Sequence, residues 1–293
     1  MQWTPGGESS DIEDRRGSGG GGGFGFGGGG FGGIHLGIGG FLVMLVLSFV
    51  FKQNLFSVFT GSSPAPATRP YSGDADRSAG DDRETQFISF VLDDVQHTWE
   101  QLLPAQANVQ YHHAKLVLFT NYTDSGCGTA QSATGPFYCP EDEKVYIDLG
   151  FFQELSSRFG APGEFAQAYV VAHELGHHVQ KLLGTEQRVS RLQHNDPSER
   201  NPLSVRLELQ ADCYAGVWGH STQQRKIIDQ ADIAAGLKAA AAVGDDRLQR
   251  MSSGHVSPES FTHGSSAQRM EWFRRGLDGG QISACNTFEG TTR

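Results

Sequence analysis

The chain has 293 residues, with 23 basic against 33 acidic side chains and a formal net charge of −10. That length is ample for a hydrophobic core of its own, so disulfides are not needed merely to make a fold. The acidic balance argues against a nucleic-acid binder, which needs a basic patch for phosphates.

In chain order, residues 1–33 form a polar, then glycine-rich tail; 13 of the 17 positions in 17–33 are glycine. Such a run buries too little apolar area to offset its backbone entropy, so the tail is expected to be disordered. Residues 34–51 are an apolar run of 18 residues without Asp, Glu, Lys or Arg, closed by Lys52. That is near the lower limit for a membrane span. The run lacks the one-sided apolar spacing of a soluble helix. The A-x-A-like site at Ala65 and Ala67 lies well beyond it, which argues against a cleaved signal peptide. Residues 34–52 are therefore expected to be one uncleaved transmembrane helix. Residues 53–83, rich in Ser, Pro, Ala and Gly, read as a linker, and 84–293 as the globular domain.

The charges flanking the run, Arg15 and Arg16 before it and Lys52 and Arg69 after it, barely discriminate its orientation. The cysteines decide it. Cys127, Cys139, Cys213 and Cys285 are an even set that fits two disulfides in an oxidising compartment. Cys127 and Cys139 lie 12 apart in a Gly/Pro-rich loop and are the candidate pair, leaving Cys213 with Cys285. No C-x-x-C occurs, which argues against a cysteine-only zinc site. The expected arrangement is a single-pass membrane protein with a cytoplasmic N-terminus and an extracytoplasmic domain, periplasmic or on the outer face.

Phe87, Val91, Val95 and Trp99, four apart, predict a helix over 85–103. Residues 115–119 are a short apolar strand. A second strand over 144–148 puts Val145 and Ile147 on one face. A strong helix spans 164–183 and ends at Gly184. Asn201 is an N-cap candidate with Pro202 at the first helical position, opening a helix to about Trp218. An alanine-rich helix spans 225–243. The last helix starts with the capping box at Ser265 and Gln268 and stops at Gly276. Strands come early and helices late, which predicts an α+β domain.

His173-Glu174-Leu175-Gly176-His177 is H-E-x-x-H inside the strong helix. Residues four apart share one face, so both imidazoles reach one ion. Zinc takes nitrogen from neutral histidine at about 2.0–2.1 Å. Glu174 can lean over the open coordination position, take a proton from water there and later deliver one to a leaving amine. The apolar flanks, AYVVAHELGHHVQKLL, place the motif in a buried setting, where an unpaired carboxylate is costly. Glu208 and Asp212, again four apart, lie in the mostly apolar segment LELQADCYAGVW. Glu208 can be the third protein ligand, and Asp212 can fix the tautomer of a ligating histidine.

HELGHH followed by ELQADCYAG resembles the gluzincin metallopeptidases. More narrowly, the chain is similar to the bacterial putative neutral zinc metallopeptidase family. The resemblance spans ESSDIEDRRG, CGTAQSATGPFYCPEDEKVYIDLGFF, AYVVAHELGHHVQ, RLELQADCYAGVWGH and FTHGSSAQRMEWFRRG. It implies a zincin-like fold, one zinc ion on His173, His177 and Glu208, and Glu174 as general base. Thr262-His263 with Arg269 is similar to a T-H-x5-R motif of the CAAX-prenyl-protease and heat-shock metallopeptidases, with Gly264 in place of the usual proline. Either His263 or Arg269 could then stabilise the oxyanion, or Arg269 could make a structural salt bridge. The strand 144–148, or residues 130–133, is expected to hold an extended peptide at a sheet edge. His178 points about 100° round the helix from His177 and should miss the metal.

The expected function is a membrane-anchored zinc endopeptidase acting on protein or peptide substrates. The alternative is a catalytically silent or latent zincin that serves as an envelope scaffold.

Overall fold

Apolar periodicity sets the framework of the computed structural model, which describes residues 1–17 and 79–289. Helix α1 (Ala79–Ala107) buries the expected stripe of Phe87, Val91, Val95 and Trp99. It begins before residue 84, inside the stretch read as linker. Strands β1 (Ile12–Asp14), β2 (Lys115–Phe119), β3 (Tyr122–Ser125), β4 (Gly128–Gln131), β5 (Phe137–Cys139) and β6 (Lys144–Asp148) make two sheets. The larger has the order β1-β2-β6-β5, with β5 antiparallel on one edge and the other three parallel. Strands β3 and β4 form a separate hairpin. Leu116, Leu118, Val145 and Ile147 face the main core, while Val117 and Tyr146 build a small cluster on the opposite face. That is the period of two expected of these strands. Strand β6 is paired on both sides, so of the two anticipated edges only residues 130–131, in β4, lie in a strand with a single neighbour.

Eight helices stand among the described residues. Besides α1 they are α2 (Gly150–Ser157), α3 (Glu164–Leu182), α4 (Thr185–Asn195), α5 (Arg200–Gln224), α6 (Gln230–Ala242), α7 (Asp245–Ser253) and α8 (Ser266–Gly279). The α+β reading stands for these residues. Several boundaries differ from expectation for identifiable reasons. Asn201 is not a cap: α5 continues from the turn Pro197–Glu199, which Asp196 caps, and the Asn201 amide donates to the Glu259 carbonyl at 3.3 Å. Helix α6 begins five residues later than expected because Asp229 and Asp232 form a capping box there.

Gly276 does not end α8, which runs on to Gly279 and closes on the left-handed Gly280 (φ 61°). Gly276 is instead a contact surface. A Cβ on it would sit 1.9 Å from the Cys213 carbonyl oxygen, and one on Gly216 would sit 2.1 Å from that of Phe273. Helices α5 and α8 therefore cross backbone to backbone. The capping box at Ser265 and Gln268 is present. Disulfides Cys127–Cys139 and Cys213–Cys285 tie the β3–β4 turn to β5, and α5 to the C-terminal turn Ile282–Cys285.

The expected membrane topology is corrected by the N-terminal residues. No helix among the described residues is long and apolar enough to cross a membrane. The run 34–52, the glycine tract and the linker 53–78 lie outside the described residues. Residues 1–17, read as part of a disordered cytoplasmic tail, are instead built into the domain. Strand β1 pairs in parallel with β2, Ile12 opposite Leu116. The Gln2 amide donates to the Ile227 carbonyl at 2.7 Å, and Trp3 packs on Phe87 and Phe90. The N-terminal segment and the domain thus lie on the same side of any boundary. A cytoplasmic N-terminus with an extracytoplasmic domain is incompatible with this pairing.

Charge rather than apolar area fixes this strand. Asp11 accepts from Lys115 Nζ at 2.7 Å and pairs with His113 Nδ1 at 2.5 Å, while Glu13 accepts from Lys144 at 2.6 Å. His113 also reaches Glu100 through Nε2 at 2.8 Å. Burial on its own would raise the Asp11 pKa, but the bonds from Lys115 and His113 outweigh it and hold it low. Burial on its own would lower that of His113, but Asp11 and Glu100 outweigh it and raise it. A depressed carboxylate stabilises above its unfolded pKa, and a raised histidine stabilises below its own. The segment's contribution is thus greatest between about pH 4 and pH 6.5. Thermal unfolding of the full chain beside a variant lacking residues 1–17 should show the deletion destabilising throughout. The gap in Tm should narrow as pH rises from 6 to 8 and again below 4.

Candidate metal centre

The metal-site geometry begins with a close helix crossing. Gly176, inside the HELGH segment of α3, faces α5, where a Cβ would meet the Ala211 carbonyl oxygen at 3.0 Å. The absence of a side chain brings the two backbones together and sets Glu208 against the histidine pair. His173 Nε2 lies 3.3 Å from Glu208 Oε2, and His177 Nε2 lies 3.5 Å from Glu208 Oε1. The ligand atoms of all three residues fall within 4.8 Å of one another, the only such His/Cys/Asp/Glu group of three or more among the described residues. Two ligands held at 2.0–2.1 Å by one tetrahedral zinc lie about 3.3 Å apart. The donor set and its spacing fit zinc.

The far sides of both rings are occupied. Asp212, fully buried, pairs with His173 Nδ1 at 2.9 Å and also accepts from the Tyr169 hydroxyl. Arg269 grips the same carboxylate with two nitrogens, Nε at 2.8 Å and Nη2 at 3.0 Å. His177 Nδ1 meets Gln180 Oε1 at 2.9 Å. Each contact turns Nε2 toward the centre, the usual orientation of a metal-bound histidine. Burial would raise the Asp212 pKa, but Arg269 and His173 outweigh it and keep it ionised. Burial would lower that of His173, but Asp212 pushes it up to about 9. Glu174 is buried, and burial is the main reason its carboxyl pKa is raised, against the pull of His173 and His177.

The remaining expected residues separate into distinct places. Arg269 is buried, with its guanidinium bonded to Asp212, Tyr169 and the Val243 carbonyl, and its Nη2 also lies 3.3 Å from His173 Nδ1 and 4.0 Å from Glu208 Oε2. His263 is held through Nδ1 by Thr262 Oγ1 at 3.0 Å and Asp245 Oδ1 at 3.2 Å. Asp245 Oδ2 accepts from the backbone amides of Thr262, His263 and Gly264, so one carboxylate shapes the whole turn. Burial would lower the His263 pKa, but Asp245 and the nearby charge of Glu208 outweigh it and raise it. His178 bonds to the Tyr138 hydroxyl at 2.9 Å and the His112 carbonyl at 2.6 Å, clear of the centre as expected. Tyr169, Gln180 and Asp245 were not anticipated. Tyr169 precedes His173 by four residues and Gln180 follows His177 by three, so helical spacing could have found both. Asp245 carries no comparable signal.

An H-E-x-x-H helix crossed by a second helix that supplies a glutamate defines the zinc metallopeptidase class of site. Residues 1–288 match the family described as putative neutral zinc metallopeptidase, and the chain belongs to that family. It is 46% identical to the uncharacterized protein YpfJ of Escherichia coli (strain K12), covering 98% of this chain and 99% of that protein. It is 45% identical to the uncharacterized protein Rv2575 of Mycobacterium tuberculosis (strain ATCC 25618 / H37Rv), over 66% of this chain and 67% of that protein. No solved structure matches it.

Removing one partner of the Arg269–Asp212 pair leaves a buried charge without compensation, which costs about 3–5 kcal/mol. Arg269→Met should lower the unfolding free energy by about that amount in urea titrations.

Proposed function

We propose that the protein is a zinc-dependent endopeptidase that hydrolyses peptide bonds in protein substrates, with one zinc per chain held by His173, His177 and Glu208. The observation that carries this reading is the convergence of those three residues, with both Nδ1 atoms taken by Asp212 and Gln180. When bound, zinc supplies a Lewis acid that polarises a carbonyl and lowers the pKa of water.

The chain's own groups supply the rest. Glu174, its pKa raised by burial, takes a proton from the attacking water and hands one to the leaving amine nitrogen. His263, anchored through Nδ1 by Asp245, offers Nε2 as a donor to the developing oxyanion. Arg269 acts indirectly, as a positioning residue for Asp212 and hence His173. Strand β5, an outer edge of the larger sheet joined to α3 through Tyr138 and His178, takes the place of β6 as the strand that pairs with an extended substrate.

The test uses the full chain, zinc-loaded, on an unfolded protein substrate, beside Glu174→Gln. The variant should retain zinc and lose activity by about 10²–10⁴-fold. Equal activity in the two would remove Glu174 as the base, and a zinc-bound but inactive wild type would overturn the peptidase reading. His263→Gln should lower kcat by about 10²–10³-fold with little change in KM; a rise in KM alone would instead assign His263 to ground-state binding.

A further inference from the structure

The hydrogen bond behind His177 is the last of a chain whose direction is forced by two backbone carbonyls, those of Cys285 and Leu207. The Cys285 carbonyl can only accept, and Gln210 Nε2 donates to it at 2.9 Å. Gln210 therefore turns its Oε1 toward Gln180, whose Nε2 donates to it at 3.1 Å and to the Leu207 carbonyl at 2.7 Å. With both donors of Gln180 committed, its Oε1 faces His177 Nδ1 and requires a proton there. His177 therefore carries a proton on Nδ1 and presents Nε2 toward Glu208, 3.5 Å from its Oε1. Gln180, Gln210 and Cys285 are all buried, so water does not substitute for the missing partner of a broken link. Cys285 is fixed to α5 by its disulfide to Cys213, the residue next to Asp212.

We propose that Gln180 and Gln210 are positioning residues for the metal centre, a two-carboxamide relay that sets the His177 tautomer and ties metal affinity to the Cys213–Cys285 disulfide. This rests on the reading of His173, His177 and Glu208 as metal ligands. The two histidines are supported differently: His173 leans on a carboxylate with its own guanidinium partner, and His177 leans on neutral amides that end at a covalent clamp. A neutral amide confers no charge on the ring, so its contribution is orientation and proton placement rather than basicity.

The experiment measures zinc affinity of the full chain by chelator competition and, independently, the tautomer of His177 in the metal-free protein by ¹⁵N NMR of the ring. Wild type should show the proton on Nδ1. Gln180→Met should shift it toward Nε2 and weaken zinc binding about 10- to 100-fold. Gln210→Met, which leaves Gln180 held by the Leu207 carbonyl alone, should weaken zinc several-fold. So should Cys213→Ala with Cys285→Ala. If the cysteine variant fails to fold, Gln210→Met carries the test of the relay's far end. Unchanged tautomer and affinity in Gln180→Met would overturn the relay. Unchanged affinity in both Gln210→Met and a folded cysteine variant would cut it back to Gln180. A wild type that binds no zinc would instead defeat the metal reading on which it rests, a distinguishable result.

Discussion

The closeness of α5 to its two neighbours is the constraint from which the site follows. Helix α5 meets α3 at Gly176, where a Cβ would be crowded by the Ala211 backbone, and α8 at the reciprocal pair Gly216 and Gly276, where a Cβ would collide with backbone. Interiors are packed too densely for such a helix to shift by a fraction of an ångström without penalty. Because Glu208, Asp212 and Cys213 all ride on α5, this packing fixes where the third candidate ligand sits, where the carboxylate behind His173 sits, and where the clamp on the C-terminal turn attaches. The site is thus carried on regular, buried elements rather than on loops, which favours precise placement.

Electrostatics complete what packing begins. Asp212 is fully buried and ionised because it collects a guanidinium, a phenol and an imidazole at once. Such a charge is tolerable only while every partner stays. Glu174 differs: burial raises the pKa of its carboxyl against the pull of His173 and His177. Two carboxylates on adjoining helices are thereby driven in opposite directions by their surroundings.

The sequence exposed the parts governed by strong local rules. The H-E-x-x-H spacing, the Glu208 and Asp212 pair, β2 and β6, and the α8 capping box all follow from periodicity or short-range hydrogen bonding. It did not expose α2, which is a single short run of eight residues, or α4 and α7, which carry only two apolar residues each, Val189 and Leu192 in one and Leu248 and Met251 in the other. It misassigned Gly276, because a glycine that ends a helix and one that admits a neighbour look alike in a string of letters. The N-terminal residues were misread for a similar reason: Ile12–Asp14 has too few apolar positions to register as a strand, and its partners Lys115 and Lys144 lie a hundred residues away. Arg269 showed a motif but not its target, since nothing local indicates that Asp212 is what it grips.

The pairing of Ile12 with Leu116 also sets an order on biosynthesis. Strand β1 leaves the ribosome first, yet its partner follows roughly a hundred residues later, some 5–20 s at ordinary elongation rates. Throughout that interval the strand has nothing to pair with, and it completes the sheet only after α1 and β2 have been made. When two nascent copies lie close together, the waiting strand of one and the open β2 edge of the other are complementary by construction. Exchange of this strand between copies is therefore an assembly error that the fold invites.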